Sequence, residues 1–204
     1  LRAMAATIVV ATAIVGAALG SFRGGVQIAY AAVKLPAVLL GAAALSAPVL
    51  TAVGAALGRP ARLASDLVLV TTAVAFGSLL LAACTPLVLL ARAIAMPYHD
   101  VILCVVAMFA LAGVASLSLV ARAVRATGGP GGLTALAGLC VVFTLGGGQL
   151  AWALRPYLVR PRTPDVPFVR ALEGSLYDAV LQSTDSARGI YTRPAADDPE
   201  DGSP

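Results

Sequence analysis

The sequence predicts an all-α fold: a polytopic transmembrane helical bundle of about five spans with a C-terminal amphipathic helix. Three observations predict it. The 204 residues are 59% hydrophobic and only 12% charged, against about 45–50% and about 25% for a soluble domain. The apolar residues are gathered into long, nearly uncharged runs with a mean hydropathy of +0.91, which is the membrane signature. The strand alternation of a barrel is absent, which leaves helices to satisfy the backbone in lipid. Residues 1–158 form the membrane part and residues 159–204 a tail.

Span one covers residues 3–19. It is short for a bilayer that needs about 20 residues, and residues upstream of Leu1 would complete it. Arg2 before an apolar run has the look of a signal peptide, but Gly20-Ser21-Phe22-Arg23 is a poor cleavage site and further spans follow. Gly16, Gly20 and Gly24 recur at four-residue spacing, a small-residue packing face. Gln27, Tyr30 and Lys34 share one helical face, read as a short interfacial helix leading into span two, residues 35–57. Pro36 then falls in the first turn, where its missing N–H costs nothing. Lys34 snorkels to the headgroups, at a headgroup boundary and not at the bilayer centre. Pro48 should kink the span.

A polar turn, Gly58-Arg59-Pro60-Ala61-Arg62, precedes span three, residues 67–90, with Ser65 as N-cap and Asp66 in the first turn. Thr85-Pro86 near its end suggests a kink or an early exit. Span four covers residues 101–121 and, after a glycine-rich basic loop, span five covers residues 133–154. In the last span Gln149 places an amide among apolar residues as interhelical glue. Trp152 stands as an interfacial aromatic, and Arg155-Pro156 ends the span. Beyond a proline-stiff linker, residues 167–183 carry Phe168, Leu172, Leu176 and Val180 at helical spacing, an amphipathic helix that must lay its apolar face on something. Asp197-Asp198-Pro199-Glu200-Asp201 reads as a disordered acidic end.

Candidate chemistry is sparse. Cys84, Cys104 and Cys140 sit on separate spans with no metal spacing and read as buried thiols. His99-Asp100 is the one adjacent His/Asp pair, but no nucleophile motif accompanies it, and an interfacial loop or cap is the expected role. Asp66, at a helix start, reads as a cap. No acidic residue lies deep in a span, which counts against proton-coupled transport. No catalytic residue, cofactor or metal is expected. The net charge of +4 is too small to point to nucleic acid. Expected partners are the lipid bilayer and either a protein partner or further copies of the chain.

Two motifs carry a resemblance. Tyr30 to Leu40 reads as a YxxxKxPxxLL lead-in to a second span, and Gln149 to Tyr157 as a QLxWxLRPF exit, with Tyr157 in place of Phe. With the tail from Pro167 to Leu181, the stretch from Val26 to Gln182 resembles a group of bacterial multi-spanning inner-membrane proteins comparable to the Yip1-like families. The resemblance implies a five-span, non-enzymatic membrane protein and brings no established activity. The residues themselves suggest an anchor or scaffold subunit, with a small transporter, channel or lipid-handling protein as the alternative. Five spans put Arg23, Lys34, Arg92, Arg155, Arg160, Arg162 and Arg170 on one side, and Arg2, Arg59, Arg62, Arg122 and Arg125 on the other. The positive-inside rule then gives a cytoplasmic C-terminus at the inner membrane.

Overall fold

The computed structural model describes residues 1–126, 132–153 and Phe168, all inside one compact unit, Leu1–Ala171. At Tyr98, His99, Gln149, Trp152 and a few other positions of these helices the backbone alone is described. Among the described residues there are six helices and no strand: α1 Arg2–Gly20, α2 Val26–Ala56, α3 Leu63–Ala83, α4 Thr85–Ala93, α5 Tyr98–Ala126 and α6 Gly132–Ala153. The fold is the all-α polytopic bundle read from the sequence. Among the described residues, four segments are long and apolar enough to cross a membrane: Arg2–Gly20, Val26–Ala56, Leu63–Ala93 and Asp100–Ala126. The 22-residue α6 carries a further apolar stretch, Leu136–Leu145. The expected amphipathic helix 167–183 lies outside the described residues, apart from Phe168, which sits in a bend.

The first correction concerns span two. There is no separate interfacial helix; α2 is continuous from Val26, and both Pro36 and Pro48 lie inside it. Pro36 is therefore not in a first turn. The cause is tertiary. A Cβ added at Gly20 would come within 2.7 Å of the Ile28 Cα, and one at Gly16 within 2.9 Å of the Ala32 Cα. Two glycines thus bring the α1 backbone onto residues 27–32, as small-residue faces do in membranes, and that contact extends α2 upstream of its apolar stretch. Gly24, the third glycine of the repeat, takes no part. It adopts φ 83° in the turn, which suits glycine.

These contacts also set direction. Gly16 faces Ala31 and Ala32 while Gly20 faces Gln27 and Ile28, so α1 and α2 are antiparallel. The Leu150 side chain lies over Gly41 and Val53 over Gly138, so α6 is antiparallel to α2 as well. Gly77 of α3 admits the Ser116 side chain of α5. One apolar core gathers Ile8, Ala47, Leu50, Val70, Val74 and Leu139, and a second gathers Val15, Leu19, Leu35, Leu81, Val88 and Met108.

Helix ends follow local chemistry. Gly58, at φ 84°, closes α2 with paired bonds, Gly58 N–H to Ala55 O at 3.0 Å and Arg59 N–H to Gly54 O at 2.9 Å. This is a Schellman motif with glycine at its left-handed position. The end of α4 repeats it, with Ala95 N–H to Arg92 O at 3.1 Å and Met96 N–H to Ala91 O at 2.9 Å. There the left-handed residue is Ala95, at φ 51°, a conformation that costs an L-residue about 1–2 kcal/mol. Span three breaks at Cys84, with Pro86 in the first turn of α4, as Thr85-Pro86 suggested. Span four gains a turn at each end. Cys104 is exposed on α5, and the buried thiol expected there is corrected.

Replacing Gly16 with leucine should drive a side chain into the Ala31 carbonyl, with nothing flexible to yield. Overpacking of this kind costs roughly 1–3 kcal/mol or more. Unfolding of the purified protein in detergent checks it: G16L should melt well below wild type, and an unchanged midpoint would mean that α1 and α2 do not meet there.

Candidate functional site

Two polar clusters interrupt the apolar bundle. The first sits on the upstream part of α2. Gln27, Tyr30 and Lys34 fall on one face, as the sequence indicated, but that face is covered. Gln27 is 0% exposed and Lys34 1%, and both residues make further interactions. The expected snorkelling of Lys34 is corrected, because the α1 crossing encloses this part of α2. The Lys34 ammonium lies 4.9 Å from the centre of the Phe168 ring and 6.0 Å from that of Tyr30. The two rings meet edge-on, 5.0 Å apart at 84°. Both cation–ring distances are within the usual limit of about 6 Å, and such contacts are worth about 2 kcal/mol when desolvated.

The depth of this cluster follows from helix length. With 31 residues, α2 is roughly 46 Å long at about 1.5 Å per residue, enough for the hydrocarbon core and both headgroup layers. Lys34 stands about 12 Å from the start of α2 on the same rise per residue. With α2 centred in the bilayer, that is close to the edge of the hydrocarbon.

The second cluster joins α2 to α3. Asp66 is buried. It forms an ion pair with Arg59, and its second oxygen accepts a hydrogen bond from the Thr51 hydroxyl at 2.7 Å. The Schellman turn puts Arg59 just past Gly58, and its side chain folds back over Gly54. A Cβ there would sit 3.0 Å from Arg59 Nε, so glycine leaves the room. The capping roles expected at this start are corrected. The N-cap position is Arg62, with no side-chain cap bond, and Ser65 lies one residue before Asp66 inside the helix. The carboxylate instead accepts from Thr51 on α2 and from Arg59 in the turn that joins the two helices.

Of the other candidates, Pro36 is buried in α2. Gln149 and Trp152 lie on the α6 backbone; the α2–α6 register puts Gln149 level with Ala42. Arg155, Pro156, Leu172, Leu176 and Val180 lie outside the described residues. His99 and Asp100 fall in the first turn of α5. Among the described residues no three His, Cys, Asp or Glu side chains gather as a metal site. Sequence reasoning missed Thr51 and Arg59. The available signal was the pair Gly54 and Gly58 flanking a turn that ends in arginine. Nothing local could have paired Phe168 with Lys34, which are far apart in the chain.

The fold is an α-helical bundle whose long apolar helices are compatible with multi-pass membrane insertion, with a covered lysine in the upstream part of α2. No family model matches the chain, and neither does any curated protein or solved structure.

Removing the Asp66 carboxylate should strand the Arg59 charge. Breaking a buried pair from one side costs about 3–5 kcal/mol, and the partial exposure of Arg59 lowers the expectation to roughly 2–3 kcal/mol. D66A should therefore unfold earlier in detergent, and R59A combined with D66A should recover part of the loss. A double variant as unstable as D66A alone would refute the pairing argument.

Proposed function

We propose that the protein is a non-enzymatic integral membrane anchor or scaffold subunit of the bacterial inner membrane. The observation that carries this reading is Phe168 seated on Lys34 and Tyr30. A residue from beyond the last span is held on the bundle. The segment that follows carries Leu172, Leu176 and Val180 at helical spacing, an apolar stripe suited to a protein partner or a second copy. The resemblance to the Yip1-like families supports the same class. Arginine and lysine placement, seven against five, supports a cytoplasmic C-terminus.

The burial of Lys34 favours a second reading, a small transporter, channel or lipid-handling protein, because charged groups within membrane helices tend to serve function. The paired substitution Leu172→Asp and Leu176→Asp separates the two readings. For an anchor, the variant purifies with unchanged thermal stability but loses the proteins that accompany wild type from native membranes. If those proteins stay bound, the anchoring role through this stripe fails.

Orientation is checked with C-terminal fusions. A cytoplasmic terminus gives a fluorescent green-protein fusion and an inactive alkaline phosphatase fusion; the reverse pattern overturns the assignment.

A further inference from the structure

A cavity of about 110 Å³ lies between α3, α5 and α6, with Leu39 of α2 at its floor. Its walls lie midway along apolar helices, at Val70 to Leu81 within the segment Leu63–Ala93, at Phe109 to Val120 within α5, and at Leu139 and Phe143 within α6. Its lining is almost wholly apolar. The two hydroxyls present turn back on their own helices, Ser78 to the Val74 carbonyl and Ser116 to the Ala112 carbonyl, each at 2.8 Å. Neither proton is left to donate to a ligand. Phe109, Gly113, Leu117 and Phe143 are half-buried, so the cavity is open on one side. Gly113 faces open space there: a Cβ built on it meets nothing within 4 Å.

We propose that this cavity takes up a short segment of one acyl chain of a membrane lipid, the rest of the chain lying outside the opening. Three features select that occupant. Apolar cavities of comparable size stay dry and take up hydrocarbon. The walls make no polar or charged demand. At this depth the surrounding medium is itself lipid chain. The site differs from ordinary lipid contact on the outer helix faces, because its walls come from four helices and enclose the chain on several sides.

The test uses the full chain in phosphatidylcholine vesicles doped with phosphatidylcholine that carries a diazirine midway along one acyl chain. After illumination, the sites of attachment are mapped by mass spectrometry. Attachment at Phe109, Leu117 and Phe143 should exceed that at Val10 and Ile14, which face outward on α1. Gly113→Leu fills the space without a clash and should abolish the excess while leaving the α1 signal unchanged. Leu117→Ala enlarges the same cavity without added bulk and should raise attachment at Phe109 and Phe143. This arm stands if Gly113→Leu fails to fold. Cavity labelling no stronger than that of α1, or unmoved by either variant, would overturn the proposal. So would a side chain of a second copy cross-linked into the cavity in place of lipid.

Discussion

The close crossing of α1 and α2 at Gly16 and Gly20 is the contact on which much else depends. Inside a bilayer the lipid is as apolar as the helix surfaces, so helices associate where shape allows backbones to approach. Here the approach holds residues 27–32 in helix, and three consequences follow. The helix starts at Val26. Pro36 is carried into its interior. The face bearing Gln27 and Lys34 is turned toward protein and not toward headgroups. Lys34 then meets Tyr30 and, from the far end of the chain, Phe168.

How much of this was legible depended on the range of the interaction. The spans were visible because hydropathy is a property of each stretch alone. The break before Pro86 was visible because proline acts on its own turn. The upstream start of α2 was not, since residues 26–34 are mixed in polarity and become helical through α1. Asp66 was misread for a similar reason. A carboxylate in a first turn is commonly a cap, and only the fold shows it bonded to Thr51 and Arg59. Lys34 was singled out by its spacing from Gln27 and Tyr30 but misjudged in its surroundings, because burial is a property of neighbours.

The hydroxyls show how a bundle rich in small residues keeps its surfaces apolar. Thr12 bonds the Ile8 carbonyl at 2.6 Å and Thr71 the Leu67 carbonyl at 2.6 Å, as Ser78 and Ser116 do on their own helices. Each donor is satisfied within its own turn, so these residues cost little in lipid and leave interhelical contact to shape. The Asp66 cluster breaks this habit. It ties α2 and α3 by polar bonds at the hairpin that joins them.

The fourth long segment, Asp100–Ala126, combines the highest apolarity of the four with the least burial. Its place in the bilayer is thus fixed chiefly by partition into lipid and only secondarily by its seat against Gly77. Such a helix can enter the membrane alone during synthesis and settle against its neighbours afterwards. Over evolutionary time its outer face is free to drift among leucine, isoleucine, valine and phenylalanine, while the crossing partners of α2 are held to glycine and alanine. Divergence among descendants of this chain should therefore be uneven, rapid on α5 and slow on the inner helix pair.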